Sequence, residues 1–159
     1  MEAVKIRSAT PADLDFLVEA NAAMARETED RALDQARVRE GVRAALSDPS
    51  RGRYFLAEES GRAVGTLMVT TEWSDWRNGF FWWIQSVYVL PRARGQGCFR
   101  ALYRHVLDQA REAGDVCGLR LYVEKRNRRA QRVYEKEGMA PATYRMYEVD
   151  FVLGGEKVR

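Results

Sequence analysis

The stretch Arg92-Ala93-Arg94-Gly95-Gln96-Gly97 joins an apolar run that ends at Pro91 to a helical pattern opening near Cys98. A strand that passes through a basic, glycine-containing turn into a helix suits an anionic phosphate. Backbone N–H groups and the positive end of the helix dipole converge there. Gly95 and Gly97 let the backbone approach an anion where a Cβ would obstruct it or forbid a positive φ. Arg92 and Arg94 add charge-assisted donors. An ordinary basic turn has the same composition, so the motif takes its meaning from the rest of the chain.

Few other side chains announce chemistry. Cys98 and Cys117 are the only cysteines, too few for a disulfide framework or a cysteine-rich zinc site. Cys98 stands at a helix start, where the dipole favours a thiolate, yet it reads as a small packing residue. His105, the sole histidine, lies two helical turns further on and completes no Cys/His/Asp arrangement. No metal is expected. Glu27, Glu29, Asp30 and Asp34 cluster in one acidic stretch, and Trp73, Trp76, Trp82 and Trp83 offer aromatic walls for a cationic amine. A solvated loop and core tryptophans are the plainer alternative.

The chain has 159 residues, 46% hydrophobic and 31% charged, with a formal net charge of +3. That length suits one domain with a core of its own, expected over residues 1–153 with a tail at 154–159. The mild charge permits an anionic ligand without demanding nucleic acid. The basic run 125–132 has no aromatic interleaving, so a nucleic-acid binder ranks last. No apolar run reaches the length of a membrane span, and the first residues lack the apolar stretch of a signal peptide. A cytoplasmic protein with no membrane partner is expected.

These residues need elements to position them. Residues 4–8 alternate as a strand, and Thr10-Pro11-Ala12-Asp13 starts a helix with Thr10 as N-cap and Pro11 at N1. A second helix covers about 34–46, and strands at 54–58 and 63–71 flank the turn Glu59-Ser60-Gly61-Arg62. Residues 80–90, rich in aromatic and β-branched side chains, form a central strand after a hairpin loop ending in Asn78-Gly79. Helix three follows the glycine turn and stops at Gly114. A strand at 119–123 then implies a right-handed parallel crossover. A fourth helix spans about 127–137 with Asn127 as its cap, and the alternation at 144–152 predicts a last strand.

This order of elements, together with Arg92, Gly95 and Gly97 and the later Asn127, Ala130, Tyr134 and Gly138, resembles the GCN5-related N-acetyltransferase superfamily over essentially the whole chain. The resemblance implies an α/β, single-domain acyl-CoA N-acyltransferase fold: a mixed, mostly antiparallel central sheet with a splayed parallel strand pair and about four flanking helices. It implies acetyl-CoA as co-substrate and an amine acceptor. The pyrophosphate would lie on the backbone N–H groups of Gln96, Gly97, Cys98, Phe99 and Arg100, with Arg94 and Gly95 also in the cofactor-binding turn. The pantetheine arm would pair with the backbones of Val87 and Val89, and a backbone N–H near Val87 would serve the oxyanion. Asn127 would contact the cofactor, and Tyr134 would be the general acid that protonates the leaving thiolate.

Phe99 departs from the pattern, standing where many members have a second small residue. The general base is open among Glu72, Glu124, Glu27 and a water chain. The acceptor site is expected from the first two helices, the loop 73–79 and the edge of the last strand. A non-catalytic acyl-CoA-binding module is the alternative function, and dimerisation is common in the family.

Overall fold

Alternating apolar residues build five strands: β1 (Lys5–Ser8), β2 (Arg53–Glu59), β3 (Arg62–Ser74), β4 (Gly79–Val89) and β5 (Val116–Leu121). They form one sheet in the order β1-β2-β3-β4-β5. The pairs from β1 to β4 are antiparallel, while β4 and β5 run parallel. Among the described residues the helices are α1 (Leu14–Glu29), α2 (Gln35–Ser47), α3 (Cys98–Glu112) and α4 (Arg128–Lys136), with 3-10 turns at Pro11–Asp13 and Pro91–Ala93. The computed structural model describes residues 3–153, so the expected tail at 154–159 lies outside the described residues. The chain divides into two compact units, one ending at Asn127 and one beginning at Arg128.

In the first unit, β-strand periodicity of two sends alternate side chains to opposite faces of the sheet. Tyr54 and Leu56 of β2 meet Leu17 and Val18 of α1 and Val42 and Ala45 of α2 in one buried cluster. Phe55, between them in sequence, points the other way, its ring edge-on to His105 of α3 at 5.3 Å. Leu102 and Val106 of α3 are fully buried. The approach to α1 follows the sequence in part: Thr10 and Pro11 open a 3-10 turn, Pro11–Asp13, and α1 begins after Asp13, whose carboxylate accepts the Thr10 N–H at 2.7 Å and two further bonds from Arg7.

The feature that creates a site is a change of register in β4. Pairing with β5 runs from Phe80↔Val116 to Ile84↔Leu121 and stops there. Pairing with β3 continues to Gly65↔Val89 after a shift between Thr66 and Met68, and Ser86 sits at φ +52° within that shift. Such a bulge bends and twists its strand. Residues 85–89 therefore leave β5 and have no strand beside them on that side. Leu90 donates its N–H to the Val64 carbonyl at 2.8 Å. Because outward and inward groups alternate along a strand, the N–H and C=O of Val89 point away from β3, into the opening.

The same divergence explains why β5 begins and ends earlier than the sequence predicts. The Phe80 N–H bonds the Asp115 carbonyl at 2.8 Å and starts the ladder there, and by residues 122–123 the partner strand has turned away.

In the second unit, α4 is present and the predicted strand at 144–152 is not: no ladder forms over these residues. A strand exists only by pairing, and among the described residues of this unit there is one helix and no other strand to pair with. Asp150 also accepts the N–H groups of Val152 and Leu153 at 2.8 Å each, a local turn that competes with extension.

Candidate functional site

The turn between β4 and α3 is built mainly from backbone. Pro91–Ala93 forms one turn of 3-10 helix, and Gly95 and Gly97 follow at φ +75° and +80°. A side chain would be strained at either glycine, and the space beside each is open. Gly97 is the residue ahead of α3, and the first intrahelical bond runs from the Ala101 N–H to the Gly97 carbonyl at 3.0 Å. The N–H groups of Cys98, Phe99 and Arg100 therefore stand ahead of the ladder, at the positive end of a fifteen-residue helix.

Side chains hold this turn instead of facing the opening. The Gln96 amide donates to the Arg92 carbonyl at 3.0 Å, and Arg92 pairs with Glu59 at 3.2 Å. Arg94 donates through Nε to the Val89 carbonyl at 2.8 Å and pairs with Glu27 at 2.7 Å. The sequence suggests both arginines as phosphate donors. In the structure each guanidinium already serves a carboxylate, which leaves the backbone of the turn as the part to which the phosphate expectation applies. Val87 and Val89 are half-buried, with their main-chain groups on the diverging stretch of β4.

Cys98 is 3% exposed, and burial, assisted by the Glu59 charge, pushes its thiol up to about 11. It is protonated at neutral pH and is no nucleophile. Its sulfur packs against Gly65 of β3, where a Cβ would lie 2.7 Å away. Sequence reasoning missed this contact, although a lone glycine within a strand pattern signals close approach. Phe99 is half-buried, stacked on Tyr103 with ring centroids 6.0 Å apart, so its ring lies along α3. His105 is likewise structural: one ring nitrogen lies 3.0 Å from the Gln109 amide.

Asn127 directly precedes α4, its N–H bonded to the Glu124 carbonyl at 2.9 Å. Tyr134 lies on the second turn of that helix, and burial raises its phenol above the ordinary value, which keeps it a proton donor at neutral pH.

The three candidate bases are all engaged. Glu72 accepts from the Trp83 indole at 3.1 Å and from Arg120 at 3.0 Å. Glu124 is held by Arg126, whose backbone N–H does most to keep its carboxyl below the usual range. Glu27 accepts from Arg94 and, at 2.9 Å, from the Tyr88 hydroxyl. Burial pushes its carboxyl up, but those two hydrogen bonds outweigh burial and leave it below the ordinary value.

The four tryptophans do not form one wall. Trp82 is buried beneath the Arg53 guanidinium at 4.3 Å, Trp73 packs edge-on against Phe80, and Trp76 projects from the β3–β4 hairpin, 86% exposed. Trp83 alone belongs to an open constellation on the side of the sheet away from α3. There Glu72 bonds Trp83 and Arg120, the Trp83 ring lies 6.1 Å from that of Tyr122, which is 60% exposed, and Arg120 lies 3.6 Å over the Phe81 ring. Of the acidic cluster, Asp34 caps α2 through the Arg37 N–H, and Asp30 ends α1 in a left-handed conformation.

A separate cavity of about 470 Å³ lies between α1 and the ends of β3 and β4, lined by Phe16, Ala20, Ala23, Arg26, Tyr88 and Leu90 among others. It shares Tyr88 and Leu90 with the diverging end of β4, while no residue of the turn 92–100 lines it. Among the described residues no helix is long and apolar enough to cross a membrane, and no cluster of His, Cys, Asp or Glu could hold a metal ion.

Comparison with known proteins agrees with this geometry. The sequence model of the acetyltransferase (GNAT) family matches residues 15–139. The aminoalkylphosphonate N-acetyltransferase of Salmonella typhimurium is 30% identical over 146 residues, covering 91% of this chain and 90% of that protein. A crystal structure described as a possible acetyltransferase from Clostridium difficile superposes with a TM-score of 0.87 at 40% identity, over 95% of this chain and 99% of the other. A Clostridium acetobutylicum protein described as a predicted acetyltransferase with acetyl-CoA shares the fold at a TM-score of 0.75 and 17% identity, over 92% and 96%.

Proposed function

This chain belongs to the acetyltransferase (GNAT) family and is an acetyl-CoA-dependent N-acetyltransferase, and from that premise we propose how its residues divide the reaction. The backbone N–H groups of residues 96–100 hold the pyrophosphate of the donor, with Arg94 and Gly95 shaping the turn that presents them. The main-chain groups of Val87 and the outward N–H of Val89, whose carbonyl already accepts Arg94, hold the pantetheine amides as a neighbouring strand would, and a main-chain N–H near Val87 receives the oxyanion. The acceptor amine attacks the thioester carbonyl carbon, the new C–N bond forms as the C–S bond breaks, and Tyr134 gives its proton to the departing thiolate. The amine's own proton leaves through water, since all three carboxylates considered as bases are hydrogen-bonded elsewhere. Asn127 lies at the start of the helix that carries Tyr134 and takes the supporting contact. Acetyl-CoA as donor suits a cytoplasmic enzyme.

The observation that carries this reading is the coincidence, in one turn, of two positive-φ glycines, the start of α3 and the unpaired stretch of β4. Buried, protonated Cys98 favours direct transfer over an acyl-enzyme. For the acceptor we favour a small primary amine that carries an acidic group. The Salmonella relative is named for such a substrate, and Arg120, paired with Glu72 at 3.0 Å, stands on the open face beside Trp83 and Tyr122, where a substrate acid would share or take over that guanidinium.

A thiol-release screen with acetyl-CoA against aminoalkylphosphonates, amino acids, polyamines and lysine peptides tests it. Turnover is expected with the acidic amines first. Acetyl-CoA binding with no thiol release from any amine would instead favour the binding-module alternative. In the same assay Tyr134→Phe should lower kcat by about 100-fold with little change in acetyl-CoA affinity. Equal loss in both would make Tyr134 structural.

A further inference from the structure

We infer that Glu27 is a positioning residue for acetyl-CoA: through Arg94 it clamps the glycine turn to the outward edge of β4. The inference rests on the reading that this turn holds the donor. Gly95 and Gly97 give the turn the backbone conformation it needs, but glycine restrains nothing by itself, and open space surrounds both positions. Rigidity must come from neighbours.

The Gln96–Arg92 bond acts inside the turn, Arg92 ties its start to Glu59 of β2, and Arg94 ties its middle to β4 and α1. Its guanidinium spans two acceptors on different elements. Nε reaches the Val89 carbonyl at 2.8 Å, and a terminal nitrogen reaches Glu27 Oε2, on the last turn of α1, at 2.7 Å. The second Glu27 oxygen accepts the Tyr88 hydroxyl at 2.9 Å, and the guanidinium carbon lies 5.4 Å from the centre of the Tyr88 ring. The groups facing Glu27 are thus Tyr88 from β4, Arg94 from the turn and, electrostatically, Arg26 from its own helix.

A carboxylate held by two donors is poorly placed to take a proton from an amine, and well placed to hold an arginine still. Arginine has many rotamers, and with Glu27 neutral or absent its contact with Val89 weakens. The groups that would receive the pyrophosphate and the pantetheine arm then lose their fixed separation. The cost falls on donor binding, where preorganisation matters, and not on the chemical step. Glu27 and Arg94 are partly exposed, so the effect is moderate.

Full-length Glu27→Gln and Tyr88→Phe test this, with the affinity for CoA read by calorimetry and kcat and KM for acetyl-CoA measured against pH. Glu27→Gln should raise both KM for acetyl-CoA and the CoA dissociation constant about ten-fold. Its kcat at saturation should stay within about two-fold, with the acidic limb of the kcat profile in place. Tyr88→Phe should move the same constants in the same direction by about three-fold, and gives the readout if Glu27→Gln folds poorly. Collapse of kcat with loss of the acidic limb and unchanged KM would make Glu27 the base and overturn the inference. CoA affinity unchanged in both variants would overturn it too. Gly97→Val separates the two levels: if it leaves CoA affinity intact, the donor turn itself is misassigned. If it abolishes binding while Glu27→Gln changes nothing, only the clamp fails.

Discussion

The opening beside β4 and the open face around Trp83 lie on the same sheet and are made of different material. The first is main chain: outward groups of Val89, N–H groups at the start of α3, and two glycines, with Arg92, Arg94 and Gln96 tied to neighbours behind them. The second is side chain: Glu72, Trp83, Arg120 and Tyr122, drawn from three strands and a loop and joined by hydrogen bonds and ring contacts. A donor common to many enzymes can be held by a backbone conformation, whose sequence demands are few and local. An acceptor peculiar to one enzyme has to be recognised by side chains, and those can come from anywhere in the chain.

Substitutions on each side should break or sharpen that contrast. The largest effect is expected from Gly97→Val, which places a β-branched residue at φ +80° and a side chain where the anion approaches. Loss of CoA affinity by about 100-fold or more, by calorimetry, is the expected outcome. Arg120→Ala comes next and should act on the other partner only. KM for an acidic amine acceptor should rise about ten-fold while KM for acetyl-CoA stays put. A shift in the donor constant instead would dissolve the division between the two regions.

Gly65→Ala follows, because its Cβ would meet the Cys98 sulfur at 2.7 Å and push on the start of α3. It should cost about 1–3 kcal/mol in denaturant unfolding and weaken CoA binding secondarily. The smallest expected effect is at Cys98 itself. With its thiol buried and pushed up to about 11, iodoacetamide at pH 8 should leave it unlabelled in the folded protein and label it once denatured.

How legible each region was follows from the same contrast. Gly95, Gly97 and the helix start were readable because a positive φ and a helix N-terminus carry local signatures. The fates of Arg92 and Arg94 were not, since Glu59 and Glu27 lie 33 and 67 residues away along the chain. Ser86 gave no sign of a bulge, because a positive φ is uncommon for serine and nothing in its side chain signals one, and without the bulge the end of β5 could not be placed. Trp82 and Trp83 looked alike in sequence. The strand's alternation sends one beneath Arg53 towards α3 and the other to the open face. At 144–152 a strand-like pattern was present, but pattern alone cannot supply a partner.

The parting of β4 from β5 also bears on solubility. An unpaired strand edge ordinarily invites strands from other molecules to add to the sheet, which is a common route to aggregation. Here the exposed donors and acceptors lie inside the sheet, in a cleft whose closed end is fixed by the Ile84–Leu121 pairing. A foreign strand would have to wedge between two strands that meet a few residues away. A slender, flexible arm needs no such room. The protein thus keeps reactive backbone within reach of a small molecule while denying it to other chains, without the charged or proline-rich guards that a peripheral strand would require.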